Sequence, residues 1–226
     1  MSNTDSFIDE VSEEVRRDRL NRMLRKYGWI VLLVVFVAVG AAAANEWWTA
    51  RVEAQAAAFG GEVDAALQIA DPERQAAALE AIPAEGQAGV ATGFLAAAAH
   101  MQSEDYAAAI AVLEAVGDTV FGDDTLTGLT ALKLAAALAA ADRPVADRFL
   151  LLDPLIAAEN PFFLLLLEQR GIAHVADSNP AAALSDFEII LRNMELTAPL
   201  RDRVQTLVVA LGGEIPWRAQ IVGEEG

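Results

Sequence analysis

From Tyr27 to Asn45 the chain carries no charged side chain, and the run YGWIVLLVVFVAVGAAAAN is bounded by Lys26 and Glu46. Nineteen residues at about 1.5 Å each make a helix of roughly 28 Å, close to the thickness of a bilayer's hydrocarbon core. Tyr27 and Trp29 stand at one end and Trp47 and Trp48 at the other, where amphipathic rings suit the two membrane–water interfaces. The pattern predicts one transmembrane helix over 27–48. Ahead of it, Phe7, Val11, Val15, Leu20, Met23 and Leu24 recur at helical spacing. The tail 1–26 therefore reads as an amphipathic helix, with Asp5 or Ser6 able to cap its start. Two uses of it stand: leaning on lipid headgroups through its arginines, or docking a cytoplasmic partner.

Beyond the span the pattern stays helical but broken. Residues 46–70 read as helix, with Gly60-Gly61 as a break and Asp71-Pro72 as a stop. A short helix follows from Glu73 to Ile82, and PAEGQAG (83–89) reads as a linker. Residues 49–85 are thus expected to be a helical linker region ahead of a domain at 86–215, with a C-terminal tail at 216–226.

That domain repeats. Ala109, Ala146 and Ala183 lie 37 residues apart, and Leu113, Leu150 and Phe187 keep the same step. Asp105, Asp142 and Asn179 align before helix-like runs, each a good N-cap, and His100, Ala137 and His174 align as well. Each unit predicts a helix A (87–101, 124–140, 160–176) and a helix B (104–116, 143–157, 179–194). The turns are QSED, ADRP and DSNP, and a capping helix runs from Ala198 to Leu211. Helix pairs of this kind bury their apolar faces only by stacking. The small residue lets two helices approach, and the bulky one a turn later fills the layer. The spacing of Gly171, His174, Ala183, Phe187 and Ile190 resembles the tetratricopeptide motif.

Charge gives the span a direction. The net charge is −17, yet the first 26 residues hold six acids and six bases. All of the net negative charge therefore lies beyond the tail, which argues against nucleic acid as a partner. The six tail bases crowd into Arg16–Lys26, immediately before the apolar run. Such a cluster holds the N-terminus in the cytoplasm and sends the acidic domain across. A cleaved signal peptide is the competing reading, since Ala42-Ala43-Ala44 resembles a cleavage site. Against it stand the long acid-bearing tail and an apolar run longer than the usual 7–15 residues.

The residues offer little chemistry. Absence of cysteine excludes thiolate nucleophiles, disulfides and cysteine-held metals. His100 and His174 sit at equivalent repeat positions and read as packing residues ahead of metal ligands. The doublets Glu13-Glu14, Asp123-Asp124 and Glu224-Glu225 read as solvated, Asp123-Asp124 as a helix start. Phosphate-binding, zinc-hydrolase and nucleophile-elbow motifs are not found. No enzymatic activity and no cofactor are expected. The run FFLLLL (162–167) is too short to span a membrane. It is either a buried helix A or a partly exposed binding face. Phe94, Met101, Leu138 and Glu168 are the candidate partner-binding residues.

Three features coincide: the tail EVRRDRLNRMLRKYGW (14–29), one span leaving at NEWW (45–48), and a short repeat domain. Together they resemble the YfgM-like family, ancillary subunits of the SecYEG translocon, in its alphaproteobacterial form. The resemblance implies an inner-membrane protein with a periplasmic tetratricopeptide-like domain, working with the translocon, periplasmic chaperones and exported chains. The expected fold is all-α, one N-terminal transmembrane helix followed by a short tetratricopeptide-like helical-repeat domain. The expected function is a membrane-anchored scaffold with a chaperone-like role at the translocon. A scaffold for another envelope complex, in cell division or respiratory assembly, is the alternative.

Overall fold

The structure, a computed structural model, describes residues 3–214, with side chains for Met23 and for residues 25–214 other than Val31. The tail's apolar positions Phe7, Val11, Val15, Leu20 and Leu24, and the segment 216–226, lie outside the residues so described. Among the described residues there are nine helices. The chain divides into two units, one ending at Gly61 and one beginning at Glu62.

In the first unit, α1 (Asn3–Leu67) runs without interruption through the apolar stretch. It is long and apolar enough to cross a membrane, and among the described residues none of its most apolar window is buried. At the two ends, Lys26 lies over the Tyr27 ring and Arg51 over the Trp47 ring, each at 5.5 Å. The expected break at Gly60-Gly61 is not seen, because α1 continues to Leu67. Each glycine costs a helix only about 1 kcal/mol. Six residues on, Ala66 is buried against Leu79 and Ala96 with Val63 beside it, and this packing offsets that cost.

The same contact corrects the linker. From Glu62 on, the chain belongs to the second unit, and α2 (Pro72–Glu80) buries Ala76 and Leu79 completely. Asp71 begins α2 as its N-cap, accepting from the Arg74 amide at 2.9 Å. Nor is 83–89 all linker, since α3 starts at Gly86.

Three helix pairs follow: α3 (Gly86–Gln102) with α4 (Tyr106–Thr119), α5 (Asp124–Ala140) with α6 (Val145–Ala157), and α7 (Phe163–Ala176) with α8 (Pro180–Arg192). A last helix, α9 (Ala198–Ala210), closes the array. Each turn within a pair is built the same way. The residue after the first helix's C-cap takes a left-handed conformation: Glu104 (φ 61), Asp142 (φ 50) and Ser178 (φ 58). The next amide then reaches back five residues, Asp105 to the His100 carbonyl, Arg143 to Leu138 and Asn179 to His174, at 2.8–3.0 Å. This is a Schellman ending, and it fixes the true register of the repeat.

By that register the even 37-residue step fails in the middle pair. His100 and His174 are matched by Leu138, one residue later than expected. Asp105 and Asn179 cap α4 and α8 by accepting from Ala108 and Ala182. Asp142 caps nothing; it is the left-handed residue, and α6 starts behind Pro144 without a side-chain cap. The middle turn holds four residues where the outer turns hold three. Ala109 and Ala183 are fully buried, as are Leu113 and Phe187, but Ala146 is exposed and Leu150 is 77% exposed. Arg148 and Leu152 take the buried places instead. The spacings are therefore 39 and 35, and only their sum agrees with two steps of 37.

The largest cluster joins Ala131, Ala135, Leu152, Leu166, Leu167, Phe187, Ile190 and Val204, from α5 through α9. Gly171 faces the Phe187 ring so closely that a β-carbon there would collide with it. The smallest residue of α7 thus sits where its pair crosses. A smaller cluster, Ala97, Ala109, Leu113 and Ala137, holds α3, α4 and α5 together.

Candidate partner-binding site

Each first helix of a pair begins under the loop that enters the next pair, at a position twelve residues before its end. In α3 this position is Val90, which packs with Val116 and Val120 and has Leu126 beside it. In α5 it is Gly128, against which Asn160 and Phe162 press so tightly that a β-carbon would not fit. Asn160 also donates from Nδ2 to the Asp124 carbonyl at 2.6 Å, tying the loop to the start of α5. In α7 the position is Leu164, which packs half-buried against the cluster that holds Leu196 of the following loop.

Beside Leu164 lies an open groove of about 570 Å³. Its apolar wall is Phe162, Phe163, Leu164 and Leu165, each half-buried, with Leu200 below. Leu166 and Leu167, the next residues of the same run, are fully buried. FFLLLL therefore divides, its first four residues lining a groove and its last two entering the core. Two asparagines shape the loops on either side. Asn160 Oδ1 accepts from the Phe162 amide at 2.9 Å, and Asn193 Oδ1 accepts from the Glu195 amide at 2.8 Å. Such turns hold a loop without a helix or sheet behind it.

The groove's rim is acidic. Glu159 and Glu195 are exposed and have no ion pair among the described residues. Arg192, which could have answered them, is held by Glu188. Arg201 turns to the Leu196 carbonyl at 3.4 Å.

The four residues singled out from the sequence are not brought together here. Phe94 and Met101 lie half-buried on the cluster of α3, α4 and α5, and Lys133 sits 5.3 Å above the Phe94 ring. Leu138 and Glu168 are only 7% and 6% exposed and offer no surface to a partner. Leu138 is the register equivalent of the two histidines. Glu168 is satisfied within the chain by a two-pronged pair with Arg203, 2.8 Å at each prong. This pair holds the Arg203 guanidinium above its ordinary range, chiefly through the hydrogen bond.

Arg170 and Asp186 are likewise matched to one another. Arg170 donates to Asp186 at 2.9 and 2.6 Å and to Asp153 at 3.1 Å, linking α6, α7 and α8. Its hydrogen bond to Asp186 raises its pKa against the opposing effect of burial. The histidines pack between helices. His100 Nε2 lies 2.7 Å from Glu80 Oε1, while His174 stacks on Phe149 at 4.7 Å and comes within 3.8 Å of Asp186. Among the described residues no three His, Cys, Asp or Glu side chains gather as a metal site.

Sequence reasoning missed Glu159, Glu195, Asn160 and Asn193. A signal for the ion pairs was present, since Glu168 and Arg170 interrupt an apolar helix and buried charges require partners. No local pattern marked the groove, whose walls come from loops more than thirty residues apart.

Residues 22–212 match the family described as tetratricopeptide repeat-like domain. No curated protein and no solved structure matches the chain.

Proposed function

This chain belongs to the family of tetratricopeptide repeat-like domains, and on that premise we propose that it is a membrane-anchored scaffold that holds other proteins beside the Sec translocon. The family makes it a helical scaffold of the protein-binding kind. The finer reading rests on one observation above others. A groove with one apolar wall and an acidic rim is left open on a domain whose chain also carries a helix apt to cross a membrane.

Anchoring raises the local concentration of the groove near anything emerging from a membrane pore. The likeness of the tail 14–29 and the NEWW exit to translocon subunits supports reading that pore as the Sec translocon. The base cluster Arg16–Lys26 supports a reading with the N-terminus in the cytoplasm and the repeats in the periplasm.

Photo-crosslinkers placed through residues 27–48 and around the groove are expected to capture translocon subunits or exported chains. Capture of division or respiratory subunits instead would move the scaffold to another machine. The orientation has its own test, because the chain has no cysteine. Cysteines introduced at Ser2 and Glu224 should react with an impermeant maleimide on intact cells only at Glu224. Labelling at Ser2 alone would reverse the topology.

A further inference from the structure

We propose that the start of α6 binds a small free oxyanion of the phosphate class, held by the guanidinium of Arg148 together with the first-turn amides of that helix. The inference goes beyond the scaffold reading and does not depend on it.

Arg148 is a buried charge that the fold leaves unanswered. It is 6% exposed, and among the described residues it enters no ion pair and its Nε has no hydrogen-bond partner. A buried carboxyl or amine can shed its charge, but a guanidinium keeps its proton in proteins. An unpaired guanidinium in the interior is therefore costly for as long as it stays unpaired. The buried acids are treated otherwise, Asp186 being answered by Arg170 and Glu168 by Arg203. The acids closest to Arg148 along α6 are already engaged. Asp147 pairs with Arg143 at 3.6 Å and Asp153 with Arg170 at 3.1 Å. An acceptor for Arg148 must come from outside the chain.

Its place in the helix says where. Arg148 lies in the first turn of α6 (Val145–Ala157). Helical side chains lean toward the N-terminus, so the guanidinium is carried back over the turn that begins at Pro144. There the helix start has no side-chain cap, whereas α4 and α8 receive theirs from Asp105 and Asn179. The amides of Val145 and Ala146 are among those that a helix leaves without an internal acceptor, and the helix dipole adds positive potential at the same end. Guanidinium and helix start thus favour one negative group between them. Nε is the only Arg148 nitrogen sealed from solvent without a partner, which leaves the terminal pair as the open fork. Two oxygens of one phosphate match that fork. So little of Arg148 is exposed that a free ion can reach it more readily than a phosphate carried on a bilayer or a folded partner. The chain's net charge of −17 opposes any anion at long range, where salt screens it; the fork acts at contact.

The test titrates inorganic phosphate into the full-length protein in maltoside micelles, in a chloride buffer of constant ionic strength, by calorimetry. Saturable binding of about one ion per chain is expected. Arg148→Met should weaken it about tenfold or more, and Arg148→Lys, which keeps the charge without the fork, should fall between. Pro144→Asp would give α6 the cap that Asp105 gives α4, and its carboxylate should displace the ion while the circular dichroism spectrum stays unchanged. Phosphate should also raise the thermal midpoint of the unaltered protein and leave those of R148M and P144D in place. An equal rise in all three would be a general salt effect and would overturn the site. Saturable binding that survives in R148M would put the ion elsewhere and overturn it too, as would the absence of saturable heat in the unaltered protein. None of these outcomes touches the scaffold reading, which stands or falls on the cellular crosslinks.

Discussion

The outer helix pairs and the middle pair solve one packing problem with different residues. In α3–α4 and α7–α8 the second helix brings an alanine, Ala109 or Ala183, into full burial. The facing small residues are Ala97 and Gly171. In α5–α6 the facing residue is still small, Ala135, but the second helix brings Arg148. Arg148 is 6% exposed, and its Nε has no hydrogen-bond partner. The longer turn, closed by Pro144, rotates α6 so that Ala146 and Leu150 point outward. A repeat architecture thus tolerates a pair out of phase, provided the layer is refilled; here Leu152 does so.

That contrast can be broken most sharply at the arginines. Arg170 is matched by Asp186, itself 5% exposed, and by Asp153. Arg170→Met would leave the Asp186 carboxylate buried with only His174 near it, and should cost about 3–5 kcal/mol in urea unfolding of the repeat domain. Next come the alanines of the outer pairs. Ala109→Leu and Ala183→Leu should each cost about 1–3 kcal/mol by overpacking, read as a fall in the thermal midpoint. Equal tolerance at both sites would refute the register drawn from the turns. Arg148→Met, in contrast to Arg170→Met, removes a buried donor that nothing satisfies, and should leave stability unchanged or raise it by about 1 kcal/mol. A loss of several kcal/mol would reveal a partner for Arg148. The smallest effect belongs to Ala146→Leu, expected within about 0.5 kcal/mol because the site is exposed.

Much of the fold was legible because its causes are local. The apolar run, the caps Asp105 and Asn179, and the start of α5 behind Asp123 all follow from neighbouring residues. The middle register was not. Two spacings of 39 and 35 hide inside a period of 74, and one inserted turn residue leaves no hydrophobic signature when Ala146 and Leu150 still look like core. Gly60-Gly61 misled for a related reason: a propensity of about 1 kcal/mol per glycine is easily outweighed by contacts distant in sequence, such as Ala66 with Leu79. For the site, FFLLLL could be recognised but not divided, since which of its residues are covered depends on where loop 193–197 stands. Glu168 looked available for a partner because Arg203, thirty-five residues later, is invisible from its surroundings.

The left-handed residues that close the three inner turns are glutamate, aspartate and serine, where glycine is the usual choice. For residues with a β-carbon this conformation costs about 1–2 kcal/mol. Glycine would relieve that strain, set against a smaller loss from its freer unfolded chain. Selection holds proteins just above the stability their work requires and discards little below the optimum. Glu104, Asp142 and Ser178 mark where this lineage has stopped short, three corners at which one substitution could harden the domain without disturbing a single buried contact.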